Sequence, residues 1–478
     1  MAGTLASAPT YGITPAPVKV ASETNYIKDF SFLNQYLPDT YEKEFERYGN
    51  RSIASFLRMV GAEMPTNSDM IKWSEQGRLH TKYKDVWTTN AAGAISTEVT
   101  FNLQTGGLCN FRKGQTVFIS QNSGTATNKG LITDVGTTTF KVVFYENSQN
   151  VIAGTSSTNL CTVFVYGSEF RKGTSGMEGS LEGKDDFFDN KPIIIKDNYQ
   201  VSGSDMSQIG WVEVASENGA TGYLWYIKSE HETRLRFEDY LEMAMVEGVP
   251  AETSSGAYAT LTPSTGTITG GSTGATSAGT KGLFFEVNAR GNVWSGGNPQ
   301  TLNDFDAIIQ RLDKQGAIQE NAIFLNRQFS FDIDDMLAAQ NSYGAGGSSY
   351  GLFDNDKEMA LNLGFTGFRR GYDFYKTDWK YLNDATLRGD ITAGGINGVL
   401  VPAGSTNVYD QVLGKNAKRP FLHVRYRASE TEDRRYKTWI TGGAGGAATS
   451  DQDFMRVNFL SERALCVLGA NNFFLFKN

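Results

Sequence analysis

"SEHETRLRFEDYLEMAMVEGVP", Ser229 to Pro250, decides how the chain is read. No glycine or proline interrupts it before Gly248, and Pro250 then forbids continuation, so the pattern predicts one long helix over about 223–247. At 100° per residue, Phe237, Leu241, Ala244 and Met245 fall on one side. Glu230, Arg234 and Glu238 fall in the same stripe, one turn apart. Glu230–Arg234, Glu232–Arg236 and Arg234–Glu238 are i,i+4 pairs of opposite charge, each worth about 0.2–0.5 kcal/mol on an exposed face. The expectation is a helix held by charge at its first half and by apolar contacts at its second.

Before this helix lie "KPIIIKDNYQVSG" and "IGWVEVAS", which read as two longer strands. Further upstream, from about Thr100 to Phe170, come four β-branched and aromatic runs: "QTVFIS", "GLITDV", "FKVVFY" and "CTVFVYG". Turn-forming stretches such as "QNSGTATNKG" separate them. Strand alternation selects Val117, Ile119, Ile132, Val142, Phe144, Val163 and Val165 as the core of a small inserted β unit. "SDMIKWSEQGRLHTKYKDV" reads as a polar transition. "DTYEKEFERYGNRSIASFLRMVGAEMP" reads as short helices, with Phe45, Ile53, Phe56, Leu57 and Val60 apolar. The opening "MAGTLASAPTYGITPAPVKV" reads as an extended arm.

Beyond the helix, residues 253–280 carry no charge and are mostly Gly, Ser and Thr, a surface loop by composition. "TLNDFDAIIQRLDKQG" predicts an amphipathic helix capped by Thr301, with Phe305, Ile308, Ile309 and Leu312 inward and Gly316 as its stop. "FDIDDMLAAQ" is helical; "INGVLVP", "PFLHVRYRA", "RRYKTWITGG" and "DFMRVNFLSERALCVLGANNFFLF" are strand-like. The sum is a mixed α+β chain without a repeating βαβ unit.

Composition narrows the function. With 44 basic and 52 acidic residues the net charge is −8, and no basic tract reaches five, which argues against tight phosphate-backbone binding. Cys109, Cys161 and Cys466 are odd in number and far apart, so no disulfide framework is implied. His80, His231 and His423 have no metal-ligand spacing to another Cys or His. The start lacks a basic n-region and an apolar h-region, and no run of eighteen apolar residues exists, so neither a signal peptide nor a membrane helix is expected.

Several motifs tempt. "GSSYG" (347–351) offers Ser349 as a nucleophile, with Asp373 or Asp378 and then His423 in hydrolase order. It lies in a glycine-rich stretch with no strand before it. "GAGGAA" (443–448) matches a loose dinucleotide pattern but precedes loop and strand rather than a helix, so a hairpin tip is expected. "DNDKE" (354–358) lacks the glycine and glutamate of a calcium loop. The carboxylates of "SETED" (429–433) sit beside Arg434 and Arg435, which points to ion pairs rather than a glycosidase pair. His231, mid-helix between Glu230 and Glu232, reads as a surface residue. No catalytic, metal or cofactor site is expected, and the chain is read as non-enzymatic.

The order of elements resembles the major capsid proteins of tailed bacteriophages, the Hong Kong 97-type fold, and in look those of crAss-like phages. "YGNRSIASFLRMVGAEMP" and "SERALCVLGANNFF" contribute most to that likeness. The resemblance implies an N-terminal arm with short helices at 1–75 and an E-loop region at 76–200, enclosing the inserted β unit at about 100–170. A peripheral domain with the spine helix would follow at 201–300, then an axial domain with returning C-terminal strands at 301–478. It implies a virion protein, made in the bacterial host cytoplasm. Copies would assemble as hexamers and pentamers into an icosahedral head, enclosing double-stranded DNA without reading its sequence. Its partners would be a separate scaffold, a portal and auxiliary or decoration proteins, with no membrane. Some members cross-link an E-loop lysine to a neighbour, and Lys172, Lys184 and Lys191 lie near the excursion's return. On this reading Glu230, Arg234, Arg236 and Glu238 of the spine helix are the candidate inter-subunit contacts. The rivals are another virion component, a tail or head-fibre protein, and a polysaccharide-acting enzyme with β-rich appendages. The first would show repeats and the second a convergent titratable cluster.

Overall fold

A computed structural model describes residues 62–77, 81–94, 97–104, 107–183, 185–207, 214–215, 221–222, 225–252, 278–316, 318–341, 367–389, 391, 394–410, 415–446 and 449–478. Ser349, the 354–358 carboxylates, His80, Lys184, the arm and nearly all of the Gly/Ser/Thr loop lie outside these residues. The chain divides into two compact units, one of residues 74–188 and one of the remainder.

The chain enters through β1 (Ala62–Thr66) and β2 (Ile71–Gln76), so the stretch expected to be a polar transition is largely strand. Alternation of Ile71, Trp73 and Glu75 with Lys72, Ser74 and Gln76 is the missed signal. Next come β3 (Lys82–Val86), β4 (Gly93–Ala94), β5 (Val99–Asn102), β6 (Gln115–Gln121), β7 (Thr127–Val135), β8 (Thr139–Phe144), β9 (Ser148–Gln149) and β10 (Cys161–Ser168). Six of them form one sheet in the order β3-β10-β6-β7-β8-β5, and β4 pairs with β9. The four expected runs are β6, β7, β8 and β10, but β3 and β5 widen the sheet to positions before Thr100. Four of the ten residues of "QNSGTATNKG" belong to β7, because Thr127 to Gly130 pair across to β6.

All seven expected core residues pack here. Val117, Ile119, Ile132, Val142 and Val163 are buried, with Phe144 and Val165 partly so. Phe101 stacks on Phe140 at 5.4 Å between ring centroids, and Phe111 meets Phe140 edge-on at 4.8 Å. Such pairs add about 0.5–1.5 kcal/mol beyond area burial.

β11 (Asp185–Asn190), hydrogen-bonded beside β2, spans the boundary at residue 188, and the second unit continues with β12 (Ile193–Ser202) and a single helical turn, α1 (Gly203–Met206). Of "IGWVEVAS" only Val214–Ala215 are described, as β13, paired with β14 (Thr221–Gly222); the rest of that expected strand lies outside the described residues. The opening helix is α2 (Trp225–Glu247), followed by α3 (Leu283–Arg290), β15 (Asn292–Trp294) and α4 (Leu302–Gln315). The capping box of α4 joins Thr301 and Asp304, and Gly316 closes it at φ 70°, left-handed backbone that favours glycine. Then come β16 (Glu320–Leu325), α5 (Arg327–Asn341), β17 (Gly367–Arg370), β18 (Tyr372–Asp378), α6 (Lys380–Asn383) and β19 (Ile396–Pro402). The hairpin of β20 (Ser405–Asp410) and β21 (Lys415–Pro420) leads to β22 (Leu422–Arg427) and β23 (Lys437–Gly442). The chain closes with β24 (Phe454–Val467) and β25 (Phe474–Lys477).

Two sheets organise this unit. In one, β24 is the spine: β12 lies along one edge over Phe454–Arg463, while β23 and β22 share the other. The other runs β15-β25-β19-β16-β18-β17, and every residue of β19 is buried. Phe324, Val399, Val401 and Leu475 face a core shared with α3, Leu465 and Val467 of β24, and Leu422 and Val424 of β22. Ile323, Leu325, Leu400 and Phe476 face a second core under α4 and α5. Alternate residues of one strand thus serve two cores.

Asn190, fully buried where β11 turns into β12, ties three segments together. Its Nδ2 donates to the carbonyls of Leu465 (2.7 Å) and Lys281 (2.9 Å). Its Oδ1 accepts from the amides of Lys191 and Lys281 and from the Thr280 hydroxyl.

His423 on β22 is buried opposite Cys466, with its Nδ1 3.2 Å from the Pro420 carbonyl. Burial, aided by the charges of Arg425 and Arg419, pushes its pKa down to about 4, against the Pro420 hydrogen bond. The unfolded chain therefore binds this proton first, at an ordinary value near 6.5. Stability is full above that pH and falls as pH drops toward 4, by roughly 3 kcal/mol. Urea titrations at pH 7 and pH 4.5 should show the loss, and His423→Gln should flatten the slope by about one proton. An unchanged slope in the variant would assign the loss to carboxylates.

Candidate inter-subunit surface

Helix α2 ends where Gly248 must be glycine. A Cβ there would lie 2.6 Å from the Ala244 carbonyl and 2.7 Å from that of Thr280. The close approach lets Gly248 accept a 2.8 Å hydrogen bond from the Gly282 amide, joining α2 to the start of α3.

The buried stripe is Thr233, Phe237, Leu241 and Met245, one residue per turn. Phe237 stacks against Phe459 of β24 at 5.6 Å and meets Tyr436 edge-on at 5.4 Å. Val201, Met455 and Val457 complete that pocket, while Met245 and Val246 enter the core shared by the two sheets. The sequence reading expected charge to interrupt the stripe at Arg234. Thr233 continues it instead, because its hydroxyl donates to the Ser229 carbonyl at 2.8 Å and leaves nothing polar unpaired. Arg234, 100° further round, is exposed.

The four candidate residues therefore divide. Arg236 reaches down to β12, its Nε and one terminal nitrogen 3.0 and 2.9 Å from the same Asp197 oxygen. That contact is a strut within the subunit, and nothing in the local sequence around Asp197 announced it. Glu230 and Glu238 are half-buried. Burial pushes the Tyr199 phenol up; a hydrogen bond with Ser229 opposes the rise, and the charges of Glu230 and Asp205 add to it. Glu230 thus sits over β12, whereas Arg234 is the member of the set that projects outward.

The catalytic temptations are placed elsewhere. Asp373 pairs with Arg369 at 3.1 Å and Asp378 with Arg327, while His423 is inside a sheet. Glu432 pairs with Lys437 at 2.9 Å and with Arg434 at 3.9 Å, as the "SETED" reading expected. The described part of "GAGGAA", Gly443 to Gly446, connects β23 to β24. Lys172 is exposed and Lys191 half-buried. Among the described residues no group of three His, Cys, Asp or Glu could hold a metal ion, and no helix is long and apolar enough to cross a membrane. All three cysteines are free.

The chain aligns at low similarity with several solved structures. A chain of Microbacterium phage Oxtober96 matches at 10% identity and TM-score 0.38, covering 93% of this chain and 96% of that one. The capsid of a native GTA particle matches at 10% identity and TM-score 0.35, covering 93% and 95%. The holo-SrpI encapsulin complex from Synechococcus elongatus PCC 7942 matches at 9% identity and TM-score 0.34, covering 95% of each. No family model and no curated protein matches the sequence. Likeness of this degree establishes no common fold, and the functional reading rests on the chain's own architecture.

Proposed function

We propose that this chain is the major capsid protein of a tailed double-stranded DNA bacteriophage, built on the Hong Kong 97-type plan. Copies form hexamers and pentamers of an icosahedral head that encloses the genome without sequence-specific contacts, aided by separate scaffold, portal and decoration proteins. The protein is made in the host cytoplasm and resides in the virion. It performs no catalytic step.

The observation that carries this reading is the order of elements. In sequence, the paired strands β2 and β11 flank a β-rich unit, and α2 then lies along β12 and β24. A second α/β core follows, and the last strands return to both sheets. That order is the one the sequence resemblance implies, and a 23-residue helix with one buried stripe leaves much of its surface for neighbours. An acidic balance suits a container, since clustered cations would hold the packed genome.

Electron microscopy of the purified, concentrated protein tests the reading. Closed particles of uniform diameter are expected, and a compact monomer by light scattering at every concentration overturns it. Within the shell, Arg234 bridges to a carboxylate of a neighbouring copy. Arg234→Ala should change subunit stability by less than about 1 kcal/mol, as for exposed ion pairs. Its particles should nevertheless fail to form, or form only at low salt. Normal particle yield with unchanged salt sensitivity would return Arg234 to the solvent.

A further inference from the structure

The six-stranded sheet of unit 74–188 hides one face in its core and leaves the other open. Register places Lys82, Phe164, Phe118 and Lys129 side by side across four strands. Their strand neighbours Tyr83, Val163, Val117 and Ile119 point into the core, so these four point outward. Phe118 and Phe164 lie 5.3 Å apart between ring centroids, with Phe164 38% and Tyr166 50% exposed. Leu131 and Val143, opposite one another on β7 and β8, extend the apolar area. Lys84 adds a third cation two residues from Lys82. A contiguous aromatic patch of this kind marks an interaction surface rather than scattered exposure.

The charges on this face limit its occupant. The lysines lie along the aromatic row, and the acids at its β7–β8 end are engaged: Glu146 with Asn128, Glu169 with the Tyr145 hydroxyl. Pairing of the face with itself would set lysine against lysine. An acidic segment carrying an aromatic side chain is the complement. Strand β11 supplies one in "DDFF": Asp185 and Asp186 are exposed, and Phe187 is the most exposed large apolar side chain among the described residues at 74%.

We propose that Asp185 and Phe187 of one copy dock on the Phe118–Phe164–Tyr166 face of a second copy, with Lys82 and Lys84 meeting the acids. The choice of a second copy as occupant rests on the shell reading. The contact is head-to-tail, because the two surfaces differ, and head-to-tail contacts propagate into rings.

The test uses the full chain with Cys109→Ser, which removes the one native thiol that is not buried. Ser120→Cys and Asp185→Cys together, which keep every aromatic ring of the contact, should give disulfide-linked ladders under mild oxidation, at least tenfold above either change alone. Lys82→Glu with Lys84→Glu should cut assembly at least tenfold, and Asp185→Lys with Asp186→Lys in that background should restore it. Phe187→Ser, at an exposed position, should keep the wild-type melting curve while losing assembly. The absence of ladders, dimers from Ser120→Cys alone, or assembly of Phe187→Ser at the wild-type level would each overturn the contact. So would binding of a labelled single-stranded oligonucleotide that Phe164→Ser abolishes, which would make the face a base-stacking platform. If the wild type forms no particles the shell reading fails, while the ladder still decides the contact.

Discussion

Asn190→Ala is expected to destabilise the protein by about 3–5 kcal/mol, since truncation strands several buried peptide groups at about 1–3 kcal/mol each. Two carbonyls, two amides and one hydroxyl lose their partner at once. Water cannot replace the amide without opening the junction of β11, β12 and β24, because the residue is about 1% exposed. Asn190→Asp should fare no better: it keeps the acceptor, loses both donors and buries a charge. Urea unfolding of the full chain would measure both. A loss under about 1 kcal/mol in the alanine variant would mean the junction repairs itself.

Phe237→Ala should cost a similar amount, about 3–5 kcal/mol, through lost burial and an unfilled cavity. The ring is fully buried between Phe459 and Tyr436, so no rearrangement of one side chain can fill its place. Phe237→Leu retains most of the volume and should lose about 1–1.5 kcal/mol. Far-UV circular dichroism should stay near wild type while the melting temperature falls. A variant that loses its helical signal together with stability would show that α2 depends on this anchor for its existence.

Periodicity made α2, α4 and the four β6–β10 runs legible, because each pairs a strong pattern with a clear stop such as Gly248 or Gly316. β2 and β3 were not, since "IKWSEQ" and "KYKDV" each set only two apolar or aromatic side chains among polar and charged ones, and so look like a linker. Their strand character comes from partners far along the chain. The candidate surface was legible only in part. Arg234 could be named, but the role of Arg236 depends on Asp197, thirty-nine residues away, and no local pattern reports such a pairing. The charge interruption was misjudged because a hydropathy stripe treats Thr233 as polar, whereas its hydroxyl is satisfied within the helix. The aromatic face was invisible for a related reason: alternation shows that Phe118 and Phe164 leave the core, not that they meet.

The strands β24 and β25 have a consequence for synthesis. Residues 454–477 supply the middle of one sheet and an interior strand of the other, so neither sheet can close until these residues have left the ribosome. Unit 74–188 is contiguous in sequence and can fold during translation, hundreds of residues earlier. A nascent chain therefore completes its β unit before either sheet of the other unit exists. The order of synthesis thus separates the two units in time, the local β unit first and the long-range sheets after it.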